Sequence, residues 1–254
     1  MNIIKFNACD FHPELRPIME NELNRINLQY PAFGNAHVEI VVSNFVPEEI
    51  TRCDCSNPKC ENKKPRPVPI ESYAMTATEP RKNKHVIIFK EDWFGVKGNP
   101  QLLRDAINND KEHKFHGDMV DPAFILAHEY GHVFDNMILH KYGRTDDDEA
   151  DTPIRTTYDQ LYSAASDAVF GRENPVLVLL DMILATEAPQ EREYDESDPQ
   201  RLVSRYAYTD PKEFFAETFA AICFGSDEQK KLPTAVMMKN LITLVYEDCC
   251  GKAH

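Results

Sequence analysis

Apolar positions recur at helical spacing through one long stretch, DPAFILAHEYGHVFDNMILHKYG. Phe124, Ile125, Ala127, Tyr130, Val133, Phe134, Met137 and Ile138 mark it as a largely buried helix. Asp121 stands where an N-cap belongs, Pro122 at the first helical position and Gly143 just past the end. Upstream, Leu15, Ile18, Met19, Leu23, Ile26 and Leu28 predict a helix over residues 14–29. Pro17 fits only a first turn, so this helix should begin near Leu15. The β-branched run His37 to Phe45 predicts a strand, as does His85 to Lys90, with a shorter strand at Tyr73 to Thr78. Trp93-Phe94-Gly95 should turn the chain, and Pro100 to Asn108 should form a short helix. Prolines punctuate a long excursion loop over residues 47–69. Two further helical stretches are expected near Thr157 to Phe170 and Pro175 to Thr186.

Strands alternate with helices up to about residue 120 and the remainder reads as helical, which is an α+β pattern. A single domain over residues 1–254 is expected, with the sheet in about 1–120 and a mainly helical half in about 121–254. No repeat is visible.

Charge narrows the partners. Asp plus Glu number 42 against 28 Lys plus Arg, a net charge of -14. Such a field repels phosphate backbones and anionic lipid, and favours a basic peptide. Much of the acid lies in two loops, Asp146-Asp147-Asp148-Glu149 and the run from Glu187, where solvated loop acid is the simplest account. The opening MNIIKF continues into polar residues without the apolar core of a signal peptide, and Val176 to Leu180, the longest apolar run, is too short to span a bilayer. A soluble protein made in the cytosol is expected; export through a specialised secretion system needs no such signal.

The chemistry concentrates in the central helix. His128 and His132 in HEYGH are four residues apart, so both imidazoles leave one helical face, as the first two ligands of a tetrahedral zinc require. Glu129 is turned to take a proton from a water on such a metal. A third ligand must come from elsewhere, leaving the fourth position for solvent. The metzincin continuation is absent, because position 135 is Asp and position 138 is Ile. The best downstream stretch is SRYAYTDPKEFFAETFAAICF, where Asp210 and Pro211 start a helix and Glu213 and Glu217 share one face of it. Carboxylates on an otherwise apolar helix need a partner, and a cation shared with the two histidines would serve. Glu213 is assigned as ligand and Glu217 as the carboxylate that orients an imidazole, with the reverse order open. A capping box with Asp210 is the alternative for Glu213.

Two other groups compete for attention. His113 and His116 in KEHKFHGD read as histidines of a polar linker rather than as groups touching substrate or metal. The seven cysteines include one cluster, Cys53, Cys55 and Cys60, which with Cys9 could hold a structural zinc, although the spacing is not a common one. An odd count without secretory context argues against a disulfide scaffold.

HEYGH, followed at a distance by a tyrosine, Glu213 and FFAE, resembles the catalytic domain of anthrax lethal factor and the clostridial Pro-Pro endopeptidases, which are gluzincin-type zinc proteases. The resemblance covers Ile125 to His132 and Tyr206 to Phe219. It implies a zincin-like fold, Zn²⁺ as cofactor, a protein or peptide substrate and an oxyanion-stabilising tyrosine seven residues before the ligand glutamate. That position falls on Tyr206 rather than Tyr208. A phenol donor beside a metal suits a tetrahedral intermediate. The expectation is therefore a zinc endopeptidase, of a kind also found among bacterial effectors. Its rival is a non-catalytic, zinc-stabilised binding protein. In a zinc protease of this kind a sheet edge often receives the substrate as one more strand, here expected within His85 to Lys90 or Tyr73 to Thr78.

Overall fold

The computed structural model describes residues 3–47, 68–79, 82–113, 115–116, 121–142, 157, 159–161, 195–197 and 201–250. The cysteines at 53, 55 and 60, the acidic loop at 146–149, all of the second acidic run but Asp195 to Ser197, and most of the helices expected at 157–170 and 175–186 lie outside these residues; Thr157 and Asp159 to Leu161 are helical. The fold is α+β. It divides into two compact units, residues 1–108 with 121–141, and residues 109–120 with 142–254. The central helix thus groups with the sheet rather than with the helical half that follows it in sequence.

In the first unit a mixed four-stranded sheet has the order β1-β2-β6-β5, from Ile3–Phe6, His37–Val42, Lys84–Phe89 and Ala74–Glu79 respectively. β1 and β6 flank β2 in parallel, while β5 runs antiparallel to β6 and forms an edge. The expected edge therefore falls on the Tyr73 to Thr78 candidate. The alternative, His85 to Lys90, is an inner strand, in keeping with a run buried at every position from His85 to Phe89. The strand expected over His37 to Phe45 breaks at Ser43, whose hydroxyl accepts from the Phe45 N–H (3.0 Å) and so diverts the backbone. Beyond it, β3 (Phe45–Val46) pairs with β4 (Val68–Pro69) in a separate ribbon.

α1 (Arg16–Gln29) begins one residue after Leu15. The turn expected at Trp93 is a single helical turn, α2 (Glu91–Phe94), ended by Gly95. There an added Cβ would lie 2.7 Å from the Glu91 carbonyl oxygen, a contact that only glycine avoids. α3 (Pro100–Glu112) runs four residues further than expected. Phe11, Phe89 and Phe94 make an aromatic cluster, with Phe11 edge-on to Phe89 at 5.5 Å and Phe89 to Phe94 at 4.8 Å.

α4 (Pro122–Tyr142) is the central helix. Asp121 caps it by accepting from the Phe124 N–H at 2.8 Å. Fourteen of its twenty-one residues are buried, which leaves no wet face over its middle turns. The Tyr130 hydroxyl donates to the Tyr30 carbonyl (3.0 Å) and Phe134 packs edge-on to Phe33 (5.4 Å), fixing rotation about the helix axis.

A buried polar line closes the β5–β6 hairpin. His85 Nε2 meets Asn83 Oδ1 (2.9 Å), His85 Nδ1 meets the Thr78 hydroxyl (3.2 Å), and Asn83 Nδ2 donates to the Gly34 carbonyl (2.7 Å). Burial, helped by the charge of His140, lowers the His85 pKa from 6.5 to about 4. The folded protein therefore resists a proton that the unfolded chain accepts below about pH 6.5. Stability from this group is complete above that value and declines as pH falls toward 4. Against His85→Gln, the wild-type unfolding free energy should drop by on the order of 3 kcal/mol more between pH 7 and pH 4, measured by urea denaturation at each pH.

In the second unit, α5 (Pro211–Phe224) packs with α6 (Pro233–Cys250) and with a 3₁₀ turn at Tyr206–Tyr208. Phe214, Phe215 and Phe219 are buried, as their spacing on α5 predicts. Among the described residues no helix is long and apolar enough to cross a membrane.

Candidate metal centre

α4 presents its two histidines side by side, with ring centroids 4.9 Å apart and planes at 85°. His128 is buried and His132 half-buried. Glu129 is also buried, and a residue that sequence reasoning missed holds it: the Thr76 hydroxyl, on the edge strand β5, lies 2.7 Å from Glu129 Oε2 and 3.0 Å from the Glu129 carbonyl oxygen. One hydroxyl hydrogen serves two acceptors, so Thr76 gives the carboxylate a fixed bearing while leaving Oε1 outside this contact. A threonine in a predicted strand carries no signal of this kind in sequence.

α5 begins as expected. Asp210 caps it by accepting from the Lys212 N–H at 2.7 Å, with Pro211 in the first turn. Glu213 follows in that first turn and Glu217 one turn later. Glu217 is fully buried. Its Oε2 accepts from the Ser204 hydroxyl (2.6 Å) and its Oε1 faces His116 Nδ1 (3.0 Å). His116 is thus no solvent-facing linker residue, whereas His113 is exposed with Nδ1 2.8 Å from the Asn109 carbonyl. The His116–Glu217 pair spans 101 positions, a separation at which no local pattern reveals it.

His128, His132 and Glu213 each offer one ligand atom, and these atoms lie within 4.8 Å of one another. Two imidazoles and a carboxylate are the donor set of a catalytic rather than a closed structural zinc. Around one ion, at bond lengths of about 2.0–2.1 Å, such donors sit about 3.4 Å apart, inside the 4.8 Å that spans these atoms. The residues therefore fit the ion. Among the described residues no cysteine joins them: Cys9 is an exposed thiol and Cys223 a buried one. No protein-family model matches the chain, and neither a curated protein nor a solved structure matches it.

Proposed function

We propose that the chain is a zinc-dependent endopeptidase of zincin-like fold, with His128, His132 and Glu213 as metal ligands. The observation that carries this reading is the grouping of those three donor atoms, with a buried glutamate next in sequence to His128 that is not needed to complete the set. A zinc held by these three residues would supply Lewis-acid polarisation of a scissile carbonyl and make an attacking water more acidic. Glu129, adjacent to His128 in sequence and held by Thr76, takes the proton of the attacking water at a carboxylate oxygen and returns it to the leaving amine. Tyr206 donates its phenolic proton in a hydrogen bond to the developing oxyanion.

The engagement of both Glu217 oxygens by Ser204 and His116 favours Glu213 as the ligand; the imidazole that Glu217 meets is that of His116, which is not one of the three clustered donors. The edge strand β5 suits an extended substrate, which would pair with it as a further strand beside the Thr76 that holds Glu129. A protein or peptide substrate is preferred over nucleic acid or a membrane surface, and a basic one over an acidic one, given the net charge of -14.

The test is a panel of peptides, basic and proline-containing ones included, incubated with and without a chelator and sequenced by mass spectrometry. Chelator-sensitive cleavage at defined bonds is expected. Zinc bound without any cleavage would favour the non-catalytic binding protein instead. Tyr206→Phe should lower kcat by about 10²-fold, near the value for one lost oxyanion donor, with metal content unchanged by elemental analysis. Unchanged kcat would move the oxyanion role elsewhere.

A further inference from the structure

We propose that His116, held by Glu217, is a positioning residue for Tyr206; this rests on the reading of Tyr206 as the oxyanion donor. Tyr206 lies in a single 3₁₀ turn and is half-buried. Its support comes from a segment ninety residues upstream. The Tyr206 N–H donates to the Phe115 carbonyl at 2.9 Å, and the Phe115 ring lies 5.0 Å from the Tyr206 ring. The His116 ring packs edge-on to Tyr206, centroids 4.7 Å apart at 69°. Backbone and ring of Tyr206 are thus both addressed by Phe115 and His116.

The orientation of His116 is itself determined. Nδ1 faces Glu217 Oε1 at 3.0 Å, where a carboxylate requires the nitrogen to donate, and Nε2 faces Asp110 Oδ2 at 3.8 Å. The second Glu217 oxygen accepts from Ser204, and the Ser204 oxygen accepts in turn from the Ala207 N–H at 3.1 Å. Ser204 and Ala207 bracket Tyr206. One buried carboxylate on α5 therefore ties down both the turn that carries the phenol and the ring that packs on it. Leaving a buried carboxylate without its donors is costly, so Glu217 holds His116 and Ser204 against it.

The experiment is a double-mutant cycle on peptide hydrolysis, with metal content measured in parallel. His116→Ala should lower kcat by about 10- to 100-fold and leave KM within about two-fold, the signature of a misplaced group that acts in the transition state. Zinc content should stay at the wild-type value. In the Tyr206→Phe background the same substitution should cost nothing further in kcat. His116→Asn keeps a donor near the Nδ1 position and should restore part of the lost kcat, which separates positioning from a folding defect. An undiminished kcat loss in the Tyr206→Phe background, or a loss confined to KM, overturns the proposal. A second readout needs no turnover: 3-fluorotyrosine incorporated at position 206 should give one narrow fluorine resonance that shifts and broadens in His116→Ala. An unchanged resonance overturns the positioning role even if wild-type protein cleaves no peptide, an outcome that would by itself reject only the peptidase reading.

Discussion

Glu129→Ala should abolish peptide cleavage while leaving the metal in place. The expected loss is about 10³-fold or more in kcat, near the upper part of the range for removing a general acid–base group. The magnitude follows from the double duty proposed for this carboxylate, to take a proton in one step and deliver it in the next. Zinc content should be unaffected, since the three donor groups that cluster are His128, His132 and Glu213. Folding should survive as well. The deletion removes a buried carboxylate whose identified side-chain partner, the Thr76 hydroxyl, keeps the residue-129 carbonyl oxygen as an acceptor at 3.0 Å. Wild-type turnover by this variant, with peptide products followed by mass spectrometry, would remove Glu129 from the chemistry and with it the proposed mechanism.

Glu213→Ala should release the zinc, and Glu217→Ala should not. Losing one of the three proposed ligands would leave two imidazoles, and the affinity should fall by more than about 100-fold, beyond the 10- to 100-fold typical of supporting carboxylates. Glu217 has a different task in the second unit, where Ser204 and His116 occupy its oxygens. Its removal should reduce kcat through Tyr206 and weaken zinc modestly. Competition with a zinc-binding dye distinguishes the two variants directly. Zinc lost from Glu217→Ala and retained by Glu213→Ala would reverse the two roles.

The parts of this account legible in sequence were those fixed by short-range rules. α4 and α5 announce themselves through Asp-Pro caps and apolar spacing, and the i, i+4 pairing of His128 with His132 follows from helix geometry alone. The inner strand β6 is legible as a strand from its β-branched run, and its inner place shows in five consecutive buried positions once β2 and β5 flank it. Strand β1 is only four residues long and escaped notice; it forms because β2 offers it a parallel partner, a contact no local pattern encodes. The same limit hid Thr76 and His116. Each matters through one hydrogen bond to a glutamate 53 or 101 positions away, and both sit among residues whose composition suits an ordinary strand or a polar linker.

The grouping of the central helix with the sheet has a similar origin. Tyr130 and Phe134 find their partners at Tyr30 and Phe33, a hundred residues earlier, so chain order is a poor guide to which unit a helix joins. What sequence did convey about the site was the donor chemistry of HEYGH and of Glu213. The structure adds the close grouping of those donors and the polar supports around Glu129 and Glu217.

Zinc stoichiometry, measured by elemental analysis on purified wild-type protein and on a His128→Ala/His132→Ala double variant, reaches the central claim most directly. The double variant should hold one zinc fewer per chain than the wild type, whatever the cysteines near residue 55 bind. Equal zinc in the two proteins would show that the histidines of the central helix hold no metal.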